Sequence, residues 1–160
     1  MNGPAAGATP EPQSISSLLN SLCVELTELV DGEGCNLSRV IGELLVDLLE
    51  YTRNGRRIQL GRGYLLSDYP LTREVIELGE PRTVSVLDPT ADASEVASLR
   101  ELGFDSLLML PLNLDGRCWG LVEVYREGPR TFDADDVAAA RAFVDSAGGR
   151  LDGVQRAAAA

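Results

Sequence analysis

Two apolar runs, residues 106–112 and 118–125, are separated by the dipeptide Asp115-Gly116. Aspartate followed by glycine suits the positive φ angles of a tight type I′ turn, so the pattern predicts a β-hairpin. With these two residues in the turn, Leu114 pairs with Arg117, and the two-residue period of a strand then assigns every other side chain to a face.

The two predicted faces differ in chemistry. One is apolar and is expected to lie beneath packed helices; it consists of Leu107, Met109, Pro111, Cys118, Gly120, Val122 and Val124. We interpret the other as the wall of a cavity, because it mixes large rings with a hydroxyl and a carboxylate; it consists of Ser106, Leu108, Leu110, Leu112, Trp119, Leu121, Glu123 and Tyr125. The alternative is that Glu123 reaches solvent and Trp119 is ordinary core.

A second hairpin is predicted from residues 35–41 and 44–51, with its turn at Gly42-Glu43. One face is again mixed and the other apolar. Arg39 and Glu50 fall on the apolar side, where we interpret them as a solvated pair near the sheet edge. The pairing sets Ser38 opposite Asp47, Asn36 opposite Leu49 and Leu37 opposite Leu48.

Helical periodicity marks the first and last parts of the folded chain. One apolar stripe runs from about Ser14 to Val30, and another runs from Val137 to Val154. Asp133 and Asp136 suit the N-cap and third positions of the second helix, and Phe132 can pack on Val137. Gly148-Gly149 is expected to loosen this helix.

Shorter elements fill the middle of the chain. The pattern predicts a helix that opens at Pro70 and stops at Gly79, a strand at 82–86, and a helix ended by Gly103 with Asp92 and Glu95 as a capping pair. The polar stretch 52–68 predicts a mobile loop that contains Tyr64. Its Gly61-Arg62-Gly63 is a weak phosphate-binding signal, because no strand leads directly into it and no Walker lysine is present.

One domain accounts for the predicted elements. Residues 1–13 are rich in Ala, Gly and Pro and predict a disordered tail, residues 14–154 predict the domain, and residues 155–160 predict a second tail. A length of 160 residues is close to the modal size of an independent fold.

Charge and composition exclude several classes of function. A formal net charge of −11 argues against nucleic acid and anionic membrane surfaces as partners. No apolar run is long enough to cross a bilayer and the start of the chain lacks signal-peptide features, so a cytoplasmic location is expected.

The side chains of ordinary catalysis and metal binding are scarce. The chain has no histidine, which removes His-ligated haem, Cys/His zinc sites and Ser-His or Cys-His nucleophiles. Its cysteines, Cys23, Cys35 and Cys118, have unrelated spacings and are expected to be reduced and partly buried.

The order of elements and a series of short motifs resemble the GAF family of sensory domains from about Ser14 to Val154. The motifs in order are Asp68-Tyr69-Pro70-Leu71-Thr72, Gly79-Glu80-Pro81, Gly103-Phe104-Asp105-Ser106-Leu107, Pro111-Leu112, Trp119-Gly120-Leu121-Val122-Glu123-Val124, and Phe132 with Asp133 and Asp136. Taken singly the motifs are weak, and their order and spacing make them specific.

The resemblance implies an α/β fold of the α+β type. Its central antiparallel sheet would have five to six strands, with the order 2-1-5-4-3 for the five predicted here. The terminal helices would cover one face and pair with a second subunit, while short helices and loops on the other face enclose a small-molecule pocket. Because Pro111 cannot donate to a ladder, we expect a bulge there or a neighbouring strand that ends early.

The specialised branches of the family do not match. Cyclic-nucleotide-binding members carry an Asn-Lys…Phe…Asp-Glu signature, and this chain has no lysine in the corresponding loop. Tetrapyrrole-binding members attach the pigment through cysteine with histidine close by, and haem-binding members need a histidine, whereas this chain has none. Methionine sulfoxide reductases of this fold place cysteines in loops over the pocket, whereas Cys23 falls on the first helix and Cys35 and Cys118 at strand starts.

The sequence therefore predicts a non-enzymatic sensory module without a cofactor, which binds an unidentified small molecule, forms a homodimer and acts on an effector domain or a partner protein. The candidate ligand-binding residues, each with a purely structural alternative, are Asn36, Ser38, Tyr64, Ser106, Trp119, Glu123 and Tyr125. One alternative function is a ligand-free dimerisation scaffold with no cavity above roughly 300 Å³. Another is a thiol enzyme using Cys35 or Cys118, which requires a depressed thiol pKa.

Overall fold

The computed structural model describes residues 13–58 and 61–160, so the predicted disorder of residues 1–12 lies outside the described part. The helices are α1 (Ile15–Leu29), α2 (Pro70–Leu78), α3 (Ala93–Leu102) and α4 (Ala134–Ala159). The strands are β1 (Gly34–Ile41), β2 (Leu44–Thr52), β3 (Gly63–Leu65), β4 (Arg82–Ser85), β5 (Ser106–Leu114) and β6 (Arg117–Arg126).

The strands form one antiparallel sheet with the order β3-β2-β1-β6-β5-β4. This confirms the order expected for the five predicted strands. The additional edge strand β3 comes from the Gly-rich stretch that was predicted to be a loop, and it pairs with the start of β2.

A bulge near the turn of the β5–β6 hairpin changes the predicted faces. Asp115 and Gly116 both have positive φ (50° and 71°), and Leu114 pairs with Arg117 as expected. Asn113 then pairs with Cys118 but Leu112 pairs with Gly120, which leaves Trp119 opposite no residue. Such an extra residue shifts the register by one.

The face prediction was therefore wrong for β5 and right for most of β6. The residues that lie beneath α1 and α4 are Leu108, Leu110, Leu112, Val122 and Val124. The residues of the opposite core are Leu107, Met109, Leu121 and Tyr125. The strand next to Pro111 does end early, because β4 pairs with β5 only from Ser106 to Met109.

A second bulge, in β2, changes the β1–β2 pairing. Ser38 lies opposite Asp47 as predicted. Beyond this pair the register shifts, so Leu48 has no partner and Leu37 pairs with Leu49. Both the Asn36–Leu49 and the Leu37–Leu48 pairings were wrong for this reason. Asn36 instead pairs with Glu50, which moves Glu50 to the same face as Asn36 rather than the apolar side.

Two apolar clusters cover the two faces of the sheet. The first joins α1 and α4 to the sheet, with Leu22, Leu26 and Val144 almost fully buried. The second joins α2 and α3 to the other face through Val75 and Leu99. The terminal helices thus share one face, and the short helices lie on the other.

Helix α4 begins as predicted, with Asp133 and Asp136 forming a capping box. Phe132 and Val137 both join the first apolar cluster. The helix does not loosen at Gly148-Gly149 but continues to Ala159, through most of the predicted C-terminal tail. Packing requires glycine at position 148, because a Cβ there would lie 2.5 Å from the backbone oxygen of Asn113. The glycine lets α4 approach β5 closely.

Candidate functional site

A cavity lies between the sheet and the α2–α3 side of the fold. The space free of protein atoms, including the part open to solvent, is about 460 Å³. The volume that the centre of a water molecule can occupy is much smaller, about 40 Å³. In this conformation it therefore admits a group of a few atoms. Its lining comprises Asn36, Leu45, Ile58, Tyr64, Leu66, Tyr69, Thr72, Glu95, Ser98, Leu102, Glu123 and Tyr125.

A hydrogen-bond network covers the sheet wall of the cavity. Neighbouring strands place Asn36 directly opposite Glu123. The Asn36 Nδ2 donates to Asp47 Oδ1 at 2.9 Å and, at 3.5 Å, to Glu123 Oε2. Ser38 Oγ donates to the same Asp47 Oδ1 at 2.7 Å, and Tyr125 Oη donates to Glu123 Oε2 at 3.2 Å. The carboxylates thus use the donors of the wall.

Two acceptors of this network remain unpartnered. Asn36 Oδ1 and Asp47 Oδ2 are buried and have no hydrogen-bond partner among the described residues. Turning the Asn36 amide over would not help, because its Nδ2 is surrounded by acceptor oxygens of Ser38, Asp47 and Glu123. A buried polar atom without a partner costs roughly 1–3 kcal/mol. Each of these two oxygens can accept a further hydrogen bond.

The helical wall contributes another buried carboxyl group. Asp92 caps α3 by accepting from the backbone N–H groups of Ser94 and Glu95, as predicted. The Glu95 carboxylate, however, accepts a 2.5 Å hydrogen bond from Thr72 Oγ1 on α2. Glu95 is only 3% exposed and lines the cavity. The sequence analysis assigned Glu95 only to a capping pair with Asp92 and did not predict its place on the cavity wall.

Burial alters the protonation of these groups. It raises the pKa of Glu123 to about 8, and the nearby carboxyl groups of Glu95 and Asp47 add to the effect. Burial also raises the pKa of Glu95, against the hydrogen bond from Thr72. For Asp47, burial raises the pKa against the hydrogen bonds from Asn36 and Ser38. At neutral pH the Glu123 carboxyl is therefore mainly protonated.

We expect Glu123→Gln to stabilise the protein increasingly as pH rises. The pKa of Glu123 in the folded protein, about 8, exceeds the ordinary value of 4.5. Its contribution to the free energy of unfolding is therefore fully present below about pH 4.5 and is lost as pH rises towards 8. Glutamine removes this loss and can still accept from Tyr125. At pH 8 the variant should be more stable by about 1–3 kcal/mol.

Urea unfolding between pH 5 and 8.5 measures this difference. Glu25→Gln, on the exposed side of α1, is the matched control. A Glu123→Gln advantage that is the same at pH 5 and pH 8 would show that Glu123 is not held in the protonated form.

The structure separates the candidate residues into three groups. Asn36, Tyr64, Glu123 and Tyr125 line the cavity, and Ser38 lies behind the wall, bonded to Asp47. Ser106 and Trp119 are not on the described lining, contrary to the predicted face. The β5–β6 register shift explains this, because Trp119 at the bulge packs on the cluster beneath α1 and α4. The Ser106 hydroxyl instead faces the backbone oxygen of Arg130.

Several polar residues of the site were not among the candidates: Asp47, Tyr69, Thr72, Glu95 and Ser98. Asp47 could have been found from the sequence, because the predicted register already placed it opposite the candidate Ser38. Tyr69 and Thr72 lie within the Asp68-Tyr69-Pro70-Leu71-Thr72 motif. Ser98 carries no signal, because an exposed helical serine has the same pattern.

The thiols do not form a reactive site. Cys23 and Cys35 are buried, Cys118 is partly buried, and the described cavity lining includes none of them. Burial raises the pKa of both Cys35 and Cys118, which disfavours the nucleophilic thiolate.

Residues 13–58 and 61–160 contain neither a metal-binding cluster nor a helix suited to a membrane. No group of three or more cysteine, aspartate or glutamate side chains is placed to hold a metal ion. None of the helices in these ranges has the length and apolar character needed to cross a membrane.

A GAF domain profile matches residues 14–151. The chain belongs to the GAF domain family. This confirms the resemblance inferred from the motifs. No significant match was found among curated proteins.

Solved structures show the same GAF fold at low sequence identity. The GAF domain of a two-component sensor histidine kinase from Bacillus halodurans has a TM-score of 0.74 and 17% identity, with 92% of this chain and 99% of that one covered. The blue-light-absorbing form of the Thermosynechococcus elongatus PixJ GAF domain has a TM-score of 0.74 and 14% identity, covering 88% and 86%.

A third similar structure is part of a larger photoreceptor fragment. The chromophore-binding domain of a Stigmatella aurantiaca bacteriophytochrome has a TM-score of 0.73 and 16% identity. The alignment covers 88% of this chain but 55% of that one, so the GAF domain described here spans about half of the fragment. These likenesses confirm the α+β GAF fold, and GAF domains of this kind occur in sensory proteins.

Proposed function

We propose that this GAF domain binds a small molecule in the cavity and transmits its presence through α1 and α4, without catalysing a reaction. The observation that carries the proposal is the buried polar network at and behind the cavity wall, where Asn36 Oδ1 and Asp47 Oδ2 have no hydrogen-bond partner among the described residues. Well-packed apolar residues in place of buried charged groups would often leave the fold at least as stable. These polar groups are therefore better explained by recognition of a ligand than by stabilisation of the fold. A ligand with donors would offset this cost.

The sheet offers a direct route from the cavity to the terminal helices. On β6, Glu123 faces the cavity while its neighbours Val122 and Val124 pack beneath α1 and α4. On β1, Asn36 has the same position between Cys35 and Leu37. Because the side chains of a strand alternate, a ligand that shifts these strands also shifts the surface on which the helices pack.

The proposal includes a homodimer formed through α1 and α4, a cytoplasmic location, and an effector domain or partner protein that responds to the helices. The similar photoreceptor structure is described as chromophore-binding. Here the described cavity lining includes no cysteine, so we propose a ligand held without a covalent bond.

A ligand-free dimerisation module is the second candidate. It is favoured by the limited space for molecules in the cavity, about 40 Å³ for water-sized centres, and by the burial of Tyr125 to 4% exposure. The two candidates differ in whether the cavity ever holds a specific molecule.

A matched pair of variants on α3 tests ligand binding. Ser98 lines the cavity, whereas the neighbouring Ala97 is exposed. We expect wild type and Ala97→Phe to retain the same small molecule from a cellular metabolite extract, and Ser98→Phe to lose at least about 90% of it, since a ring at position 98 occupies the cavity. Native mass spectrometry followed by denaturation measures the retained mass and the number of subunits.

A further inference from the structure

The donors and acceptors around the cavity are unbalanced. Three carboxyl groups, those of Asp47, Glu95 and Glu123, belong to its walls or the network directly behind them. Four neighbouring side chains donate to these carboxyl groups, Asn36 to both Asp47 and Glu123; they are Asn36, Ser38, Thr72 and Tyr125. Asn36 lines the cavity at 3% exposure, and its Oδ1 still has no partner among the described residues. Asn36 Oδ1 can therefore accept a hydrogen bond from a bound ligand.

The protein's own cations do not fill this role within the described residues. The sequence contains no lysine, and the described lining includes no arginine. Arg62 is exposed, and its lowering effect on the pKa of Asp47 is small beside the effect of burial. Arg56 is directed away, to the backbone oxygen of Leu102 and the ring of Phe104.

A metal ion does not fit the geometry. The carboxyl groups come from β2, α3 and β6, and no three acidic or thiol side chains of the described residues converge on one point. A metal ion needs its ligands within about 2–2.6 Å of a common centre. A ligand that joins these groups must instead carry several donors at different positions.

The shape and the aromatic lining narrow the ligand further. The enclosed space admits a head group of a few atoms, and the cavity is partly open to solvent. Tyr64 and Tyr69 meet edge to face at 5.8 Å on the lining, and Tyr125 stacks on Phe104 behind it. Aromatic rings stabilise organic cations by cation–π attraction.

We propose that the cavity binds the planar cationic head group of an amidinium- or guanidinium-type molecule, with Glu95 and Glu123 as its carboxylate partners and Asn36 Oδ1 accepting an N–H. This inference rests on the proposed sensory function and identifies the chemical class of the ligand. Bidentate contacts between such a head group and a carboxylate are the strong form of charge-assisted hydrogen bond.

Binding should be linked to proton release. A cation prefers the ionised form of Glu123, whose pKa of about 8 keeps it mainly protonated at neutral pH without a ligand. The titratable groups around it are Glu95 on α3, Asp47 on β2, Tyr64 on β3, Tyr69 before α2 and Tyr125 on β6. Glu50 and Arg62 act on the neighbouring Asp47, and Cys35 acts from the opposite face of the sheet. Affinity for the cation should therefore rise roughly 10- to 100-fold between pH 6 and pH 8.

Three probes of equal size test the inference: acetamidine, acetamide and acetate. They are cationic, neutral and anionic versions of one four-atom skeleton. Titration of the ¹⁵N-labelled protein, followed by amide chemical shifts at 150 mM salt, measures binding at the lining residues. We expect acetamidine to bind at least tenfold more tightly than acetamide, and acetate to cause no shifts at these residues.

Glutamine variants distinguish acetamidine binding in the cavity from the general attraction of a cation to an acidic protein. Glu95→Gln and Glu123→Gln should each weaken acetamidine binding at least fivefold, and Glu123→Gln should also abolish its pH dependence. Glu25→Gln on the exposed side of α1 makes the same charge change away from the cavity and should leave binding unaltered. Well-dispersed spectra show that each variant is folded.

Three results of the titrations would overturn the inference. These are equal or tighter binding of acetamide or acetate, the absence of shifts at 50 mM acetamidine, and acetamidine binding that survives both glutamine substitutions. A neutral or anionic metabolite captured by wild type but not by Ser98→Phe would also refute the cation while leaving the sensory function intact. Equal capture by Ser98→Phe and wild type would instead contradict the sensory function.

Discussion

Arg126→Met is expected to lower the free energy of unfolding by about 3–5 kcal/mol, because it takes the donor from the half-buried Asp136 carboxylate and from three backbone oxygens at once. Arg126 is 2% exposed and donates to Asp136 Oδ2 at 3.1 Å on the first turn of α4. It also donates to the backbone oxygens of Val30, Asp31 and Thr131. One side chain thus ties the end of β6 to both terminal helices.

The guanidinium of Arg126 additionally lies 4.1 Å from the centre of the Phe132 ring. Methionine keeps much of the apolar stem but satisfies none of the four oxygens. Arg130→Met is the control, because Arg130 is exposed and pairs with the exposed Asp31. Such a surface pair is worth about 0–1 kcal/mol. Similar losses for the two variants in urea unfolding would contradict the role assigned to Arg126.

Gly148→Ala and Gly149→Ala are expected to change stability in opposite directions, although both replace glycine by alanine in the same helix. At Gly148 the added Cβ would lie 2.5 Å from Asn113 O, so α4 must move away from β5. Overpacking of this kind costs about 1–3 kcal/mol. At Gly149 the Cβ meets no atom within 4 Å, and the better helix propensity of alanine should add about 0.5–1 kcal/mol.

Chemical unfolding of the two single variants measures the difference directly. Because both substitutions gain the same helix propensity, their difference isolates the contact with β5. Two stabilised variants would show that α4 does not approach Asn113 as closely as described, and two destabilised variants would show that the helix needs glycine at both positions.

Turn and cap chemistry are local, so the sequence predicted the four helices and every strand except β3, while the sheet order came from the resemblance to the GAF family. Asp115-Gly116, Gly79, Gly103 and Asp133 each end or start an element with residues suited to that backbone conformation. These signals need no knowledge of tertiary contacts. They also gave the correct pairing of Leu114 with Arg117.

The positions of the bulges could not be predicted, and each one shifted a register. Trp119 and Leu48 are ordinary strand residues, yet each is the extra residue that exchanges the faces of its hairpin. The shift in β5–β6 removed Trp119 and Ser106 from the cavity side, while Glu123 and Tyr125 stayed there. Glu95 was missed because its helix-start position already explained it.

The central claim is that the cavity holds a specific small molecule, and the most direct test is native mass spectrometry of wild type, Ser98→Phe and Ala97→Phe after exposure to one metabolite extract. We expect one extra mass on wild type and Ala97→Phe that disappears on denaturation and is missing from Ser98→Phe. Equal bound mass on all three proteins, or none on any, would contradict it and favour the ligand-free dimerisation module.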